Sequence, residues 1–455
     1  MNTDTTIAAI STPTGEGGIG VVRISGSNAA DIADSIFTAA SGKRLKGSVG
    51  YSAHFGTLHD KSGDTIDQCI ALVFKAPKSY TGEDIVELSV HGGDYVVRAA
   101  LRAAIDAGAV PAERGEFTKR AFLNGKLDLS EAEAVMDIIS ASDRQALSAG
   151  LAALGGAVSE KCGRIRDELK FAAATVAAFS DFPDEEPEFS GIDKLGELLE
   201  NAACRLGTLI SDYDTGRMIK NGINTVIIGP PNAGKSTLMN RLTGYDRSIV
   251  TPVAGTTRDT VEETVSFGGV TLRRCDTAGL HDTADPVEKI GVERTKERIA
   301  SADLVIVLLD GSDASYDSSE IMRLVCGKPT VVVYNKSDIA AYEPEGIKDE
   351  RQFTVSVSAK TGDGIKRLAD AIKEVTAAEH IDGSSAVYLN ERQRDCAVRA
   401  ERSVKEALSA LESGITVDAV GVLIDEALSA LYELTGERVT VEVTNEVFSK
   451  FCVGK

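Results

Sequence analysis

The run Gly229-Pro230-Pro231-Asn232-Ala233-Gly234-Lys235-Ser236 follows the apolar stretch Ile223 to Ile228 and precedes Leu238-Met239-Asn240-Arg241-Leu242. An apolar strand that turns through glycines into a helix is a phosphate cradle. The glycines let backbone N–H groups close around a polyphosphate, and the helix N-terminus favours an anion. Asn232, Ala233, Gly234, Lys235, Ser236 and Thr237 are therefore the expected phosphate-side contacts. Lys235 brings a point charge to the β and γ oxygens, and the Ser236 hydroxyl is suited to ligate Mg2+.

The base is specified about a hundred residues later, where Asn335-Lys336-Ser337-Asp338 follows the β-branched run Thr330 to Tyr334. A carboxylate at Asp338 can accept from both the ring N–H and the exocyclic amine of guanine, a donor pair that adenine lacks. Asn335 would brace the loop and Lys336 would cover the ring face. Ser358-Ala359-Lys360, after the strand-like Phe353 to Val357, supplies a second base-side loop. Asp276-Thr277-Ala278-Gly279 ends the run Val270 to Cys275, and so places a carboxylate behind the Mg2+ shell and a glycine N–H beside the γ-phosphate. In order and spacing the stretch resembles the translation-factor class of GTPases. GTP and Mg2+ are the ligands it implies.

After that glycine comes Leu280, an apolar side chain where Ras-like enzymes place a water-orienting Gln, so another group must orient the water. Candidates lie in His281 to Glu293. Glu288 opens the helical stretch Glu288 to Ala300, and by spacing alone it reads as a helix-start carboxylate favoured by the dipole. Upstream, Thr251-Pro252-Val253-Ala254-Gly255-Thr256-Thr257-Arg258-Asp259 reads as a loop of hydroxyls and open carbonyls, with Thr257 as the second Mg2+ hydroxyl. Arg258 is either an internal arginine finger or a solvated loop charge.

Together with these words, Tyr80-Thr81-Gly82-Glu83-Asp84, His91-Gly92-Gly93, the long Gly115-Glu116-Phe117-Thr118-Lys119-Arg120-Ala121-Phe122-Leu123-Asn124-Gly125-Lys126-Leu127-Asp128 and the closing Phe448-Ser449-Lys450-Phe451-Cys452-Val453-Gly454-Lys455 resemble the MnmE (TrmE) family of tRNA-modification GTPases across the whole chain. The resemblance implies GTP hydrolysis activated by K+, bridging the positions Asn232, Thr251, Val253 and Thr256, with Glu288 orienting the water through an intervening one. It further implies an N-terminal domain that dimerises and binds a formyl-tetrahydrofolate as one-carbon donor, with Arg23, Glu83 and Arg120 at the folate site. An Arg there can pair with the folate glutamate carboxylate, and Glu can accept from the pterin. Arg120 fixing an interdomain ion pair and Glu83 capping a turn are the plain alternatives. A flavoprotein partner, MnmG, completes the implied system, which installs an aminomethyl or carboxymethylaminomethyl group at C5 of the wobble uridine of certain tRNAs. Arg114 stands where relatives often have Pro, and Val453 where they often have Ile.

From the residues alone, Cys452 is a nucleophile, a redox group or a packed thiol, and beside aromatic residues the packed thiol is the usual outcome. The resemblance gives it a role in the modification step. The seven cysteines contain no C-x-x-C pair, which argues against a zinc site or a disulfide framework. No apolar run reaches the length of a spanning helix and no Lys or Arg precedes Arg23, so the expected setting is a reducing cytoplasm.

A formal net charge of -20 argues against broad, nonspecific nucleic-acid binding. A tRNA contact would then be local. Lys43-Arg44-Leu45-Lys46 reads as ordinary surface charge, whereas Arg114, Lys119, Arg120 and Lys126 lie within the long motif and read as functional.

At 455 residues the chain has room for about three domains. Strand patterns at Ile19 to Ser25, Ile66 to Phe74 and Asp84 to Val90, with helices at Ala29 to Phe37 and Asp94 to Ala107, make residues 1–119 an α+β module. Helical periodicity starts at Ser130, an N-cap candidate with Glu133 three residues on, and runs to about Phe179. The acid- and Pro-rich Asp181 to Glu188 breaks it, and it resumes from Ile192 to Tyr213. Asn390 to Leu411 and Val417 to Leu434 are helical again. The expected fold is thus multidomain α/β and α: an N-terminal α+β folate-binding module (1–119), a helical domain in two parts (120–216 and 379–455) and an inserted Ras-like P-loop G domain (217–378).

Two other classes compete. A ribosome-assembly switch related to Era or Der would share the G motifs, yet no Gly-x-x-Gly loop between helices with basic flanks follows residue 378. A structural folate-binding scaffold with a regulatory G domain would share every binding site, and only chemistry separates it from the enzyme.

Overall fold

The computed structural model describes residues 5–13, 15–141, 144–181, 191–244, 264–268, 270–279, 296, 298–313, 316–339, 352–376 and 388–455, with 274–279 described by backbone course alone. By their internal contacts the residues form two compact units. One comprises Met1–Met136, Cys162–Glu185 and Ala410–Lys455, and the other Asp137–Lys161 and Glu186–Ser409.

The first unit is built on β1 (Ile7–Ile10), β2 (Ile19–Ser25), β3 (Phe37–Ala39), β4 (Ser52–His59), β5 (Thr65–Phe74), β6 (Ile85–His91) and β7 (Val110–Pro111). They form one seven-stranded sheet in the order β3-β4-β5-β6-β2-β1-β7. Every pairing is antiparallel except the short parallel contact of β1 with β7. One face carries α1 (Ala29–Ile36) and α2 (Asp94–Asp106). Alternation explains this: Val22 and Ile24 of β2, Val86, Leu88 and Val90 of β6, and Ala71 and Val73 of β5 are buried with Ile32, Ala33, Val97, Ala100 and Ala104 of the helices. Each large apolar side chain so buried contributes roughly 1.5–3 kcal/mol relative to exposure.

Next come α3 (Glu116–Leu123), α4 (Leu129–Ser140), α5 (Arg144–Leu154), α6 (Ala157–Asp181) and α7 (Gly191–Asn221). The single periodicity expected from Ser130 to Phe179 is thus three helices. The α5–α6 break falls at Gly155-Gly156, where Gly156 takes a left-handed φ of +84°, a conformation that glycine adopts without strain. The N-cap is also two residues earlier than expected. Asp128 Oδ1 accepts from Glu131 N (2.8 Å) and Glu131 Oε2 accepts from Asp128 N (2.8 Å), a reciprocal box that leaves Ser130 inside the helix.

The second sheet holds β8 (Ile223–Gly229), β9 (Thr264–Phe267), β10 (Val270–Gly279), β11 (Leu304–Asp310), β12 (Thr330–Asn335) and β13 (Gln352–Ser356), in the order β13-β12-β11-β8-β10-β9. It is parallel apart from the β9–β10 hairpin. Both faces are covered, so β11 and β12 read as nearly unbroken apolar runs rather than alternating ones. The helices are α8 (Lys235–Thr243), α9 (Ser319–Leu324) and α10 (Ile365–Val375), and Ile227, Ile306, Leu308, Val331 and Val333 pack on α8 and α10. Ile228, Val305, Val307 and Val332 pack with Ile321 and Val325 on the opposite face.

The remaining helices are α11 (Glu391–Glu412), α12 (Val417–Thr435) and α13 (Val441–Ser449). In the first unit, Val447, Phe448 and Phe451 close a small core with Leu129 and Ala132.

Candidate functional site

The carboxyl ends of the parallel strands converge on one edge of the second sheet. Register sets Gly279 of β10 beside Gly229 of β8, and Asp310 of β11 beside Asn335 of β12. Ligands of open α/β sheets lie outside such strand ends. The motif glycines have a steric reason to be there. Gly234 has a φ of +96°, and a Cβ on it would come 2.3 Å from Asn335 Nδ2, so any larger residue would expel the asparagine. Asn232 also takes a left-handed φ of +64°, one of the few side chains that tolerate it.

Lys235 begins α8 and donates to the carbonyls of Gly229 (2.7 Å) and Pro230 (2.8 Å), which holds its ammonium across the cradle. Burial holds its pKa below the ordinary lysine value. Ser236 and Thr237 are exposed in the first turn of α8, as a metal or phosphate contact requires, while Ala233 is buried beneath the loop.

At the other end of the site Asn335 is a clamp. Its Nδ2 donates to the Ala233 carbonyl (2.7 Å), and its Oδ1 accepts from Ala359 N (2.9 Å). Phosphate loop and base loop are therefore joined through one buried side chain. Asp338 is exposed and accepts from Ser358 Oγ (2.7 Å). That hydroxyl first, then the charges of Lys360 and Lys336, keeps its carboxyl below the usual range, so it is an acceptor at every physiological pH. Lys336 pairs with Asp310 at 2.5 Å. Burial pushes Asp310 up, but Lys336 and Ser312 outweigh it and hold the carboxyl low. Nothing in the motif spacing marked Asp310; its only signal is that it is the first polar residue after the apolar run of β11.

Asp276, Thr277, Ala278 and Gly279 lie on β10, where the backbone places them along β8. Glu288, Thr251, Val253, Thr256 and Thr257 lie outside the described residues. Among the described residues no group of three His, Cys, Asp or Glu side chains forms a metal cluster. Mg2+ suits the hard oxygen donors at the cradle instead, since it is bound by few protein ligands with substrate phosphates completing its shell.

In the first unit a second polar cluster gathers the other motif residues. Arg23 Nε donates to Glu87 (2.8 Å), and its guanidinium lies 5.4 Å from the ring centroids of both Tyr80 and Phe117. Tyr80 OH meets Thr118 Oγ1 at 2.8 Å, and burial raises its pKa despite that contact and Arg23. Glu83 accepts from Ser25 Oγ (2.7 Å) and from Arg120 (3.1 Å). Arg120 is only 3% exposed and also donates to Glu116 (2.8 Å) and to the Thr5 carbonyl (2.7 Å). The charge of Arg120 is answered by two carboxylates of its own unit, so this side chain makes ion pairs within the unit, close to the alternative that the sequence left open. Of the other basic residues in the long motif, Lys119 is buried against Asn445 Oδ1 (2.8 Å) and Lys126 donates to the Pro77 carbonyl (3.1 Å). Of these basic residues Arg114 and Lys126 are exposed, and Lys119 and Arg120 are buried.

Residues 452–455 run against the same cluster. Cys452 is exposed, and its carbonyl accepts from Gly115 N (3.3 Å) while the Lys455 carbonyl accepts from Phe117 N (3.2 Å) at the start of α3. Ser11 Oγ donates to the Gly454 carbonyl (3.2 Å), and Arg114 bridges Val453. Cys452 is thus held beside the helix that carries Phe117 and Arg120, with its thiol outside the small aromatic core that takes Phe448 and Phe451.

Known proteins resemble this chain from end to end. Residues 6–126 match a family model described as the GTP-binding protein TrmE N-terminus, and residues 129–452 match the MnmE helical domain. A tRNA modification GTPase MnmE of Symbiobacterium thermophilum is 43% identical over 99% of this chain and 99% of its own. Its namesakes in Heliobacterium modesticaldum and Roseiflexus castenholzii are 39% and 40% identical, covering 99% and 100% of this chain and equal shares of theirs. The crystal structure of a probable GTP-binding protein engB is 21% identical over 34% of this chain and 99% of its own length, with a TM-score of 0.26, too low to carry weight. Two family models and end-to-end identity near 40% leave one assignment, and the chain belongs to the MnmE (TrmE) family.

Proposed function

We propose that this protein is a GTPase that acts in tRNA modification, using GTP with Mg2+. The end-to-end identity with tRNA modification GTPases carries the reading, and the clamp of Asn335 on Ala233 and Ala359 supports it. In this reading Lys235 and the backbone of residues 232–237 bind the β and γ phosphates, and Ser236 offers its hydroxyl to Mg2+. Asp338 accepts from the guanine edge and Lys336, steadied by Asp310, covers the ring. Mg2+ and a K+ held by Asn232, Thr251, Val253 and Thr256 would offset charge that develops at the β/γ bridge, as a guanidinium does elsewhere. Thr257 is the second Mg2+ hydroxyl and Glu288 orients the water.

The same proposal takes the first unit as the place where a one-carbon tetrahydrofolate binds. Arg23, backed by Glu87 and two rings, and Glu83 face the ligand, and Arg120 lies behind Glu83 and fixes it. Cys452 serves the modification step. The protein acts as a homodimer through residues 1–119, with residues 217–378 as a G domain inserted in the helical domain and with the flavoprotein MnmG as partner. The product is a C5-aminomethyl or carboxymethylaminomethyl wobble uridine in a cytoplasmic tRNA. No helix among the described residues is long and apolar enough to cross a membrane.

Deleting the gene and analysing bulk tRNA nucleosides by mass spectrometry tests this. Loss of C5-aminomethyl-type uridines, restored by the wild-type gene but not by Lys235→Ala, is the expected result. An unchanged nucleoside profile with altered ribosomal particles would instead favour an Era-like assembly switch.

A further inference from the structure

Arg241 lies in the last turn of α8, where a basic side chain ordinarily answers the helix's own terminal carbonyls. It does not do so here. Its Nε donates to the Ala359 carbonyl at 3.1 Å and its Nη2 donates to the Lys360 carbonyl. Two successive carbonyls of the loop after β13 are thus held by one planar fork, a geometry that guanidinium supplies and an ammonium does not. The contact joins residues 118 positions apart.

Its place in the site gives it more weight than a surface strut. Ala359 N donates to Asn335 Oδ1, Asn335 Nδ2 donates to the Ala233 carbonyl, and Ala233 leads through Gly234 into α8, which carries Arg241. The hydrogen bonds form a closed circuit: phosphate loop, Asn335, base loop, Arg241, and back along the helix to the phosphate loop. Ser358, in the same base loop, holds the carboxylate of Asp338. Removing Arg241 opens the circuit on the base side and leaves Lys235 with its own two carbonyls untouched.

We propose that Arg241 is a positioning residue for guanine recognition: it fixes the loop Ser358-Ala359-Lys360 on the base and so sets how long the nucleotide stays bound. The inference rests on reading this edge as a guanine-nucleotide site.

The test uses the full-length protein with fluorescent N-methylanthraniloyl-GDP in stopped flow, and inorganic pyrophosphate as a competitor that reaches only the phosphate side. Arg241→Ala should release the labelled GDP about tenfold faster, the scale expected for losing charge-assisted hydrogen bonds. Arg241→Lys should fall between Arg241→Ala and wild type, and pyrophosphate should compete with each variant as it does with wild type. A wild type that holds the nucleotide while Arg241→Ala releases it at the same rate overturns this inference alone. Equal weakening toward GDP and pyrophosphate also overturns it, because it would mean general loss of α8. A wild type that fails to hold labelled GDP overturns the guanine-site reading and this inference with it.

Discussion

Asn335 Nδ2 stands 2.7 Å from the carbonyl of Ala233, 102 positions earlier in the chain, and the residue is 4% exposed. In Asn335→Ala the Ala233 carbonyl and the Ala359 N–H lose their partner, and each unsatisfied buried group costs about 1–3 kcal/mol. GDP affinity should fall by at least about tenfold, with a lower melting temperature, both read by calorimetry.

If Asp338 selects guanine by accepting, as proposed, Asp338→Asn should reverse the preference. An amide presents a donor where xanthine has an oxygen and guanine an amine. Competition between GDP and xanthosine diphosphate checks this, and retained GDP preference would remove Asp338 from base recognition. The Ser358 hydroxyl holds the Asp338 pKa below its ordinary 3.8, so the accepting form survives as pH falls through that range and is lost only below it. In Ser358→Ala the acid loss of GDP binding should move to higher pH.

Lys235 titrates in the opposite sense. Burial lowers its pKa from 10.5, and a polyphosphate favours the ammonium. Binding should therefore take up a proton in the alkaline window between the lowered value and 10.5, and affinity should decline as pH rises through it. Calorimetry in two buffers of different ionisation heat measures that uptake. Lys235→Arg, charged throughout, should lose the part of the proton uptake that Lys235 contributes.

Arg120 offsets two carboxylates inside the first unit. Arg120→Ala leaves Glu83 and Glu116 without their cation, and breaking a buried pair from one side costs about 3–5 kcal/mol. The urea midpoint of the first unit should drop accordingly. Glu83→Gln added to Arg120→Ala should recover part of the loss, and no recovery would mean that the Glu83 charge is not what Arg120 serves.

Cys452→Ser should abolish tRNA modification while GTP turnover stays at the wild-type rate. Parallel loss of both would show that the residue supports the fold rather than the chemistry.

Where sequence and structure agree, the signal is local. The strand Ile19–Ser25 and the helix Asp94–Asp106 follow from periodicity within a few residues, and the phosphate loop from glycines spaced between a strand and a helix. Partners that meet across the fold were not legible. Asp310 is 26 positions from Lys336 and Arg241 is 118 from Ala359, and no local pattern announces either. Arg120 shows what residue type leaves open. Its type fits an anion site, but type says nothing of burial, and burial beside Glu83 and Glu116 commits it to the protein's own charges. Short pieces such as β3, β7 and α13 escaped because two to nine residues hold too few periods to read.

Gly454 has a φ of +94°, and a Cβ on it would lie 2.1 Å from the Ile10 carbonyl, so the strand made first and a segment made late touch without room for a side chain. Ser11 and Gly454 are 443 positions apart, and a ribosome adding about 5–20 residues per second needs roughly 20 to 90 s to cover that distance. Throughout that interval β1, and from its own synthesis onward the start of α3, wait for the strap that will cover them. The sheet that holds β1 is therefore begun long before the segment that finishes it is made, and its closure waits on residues 452–455.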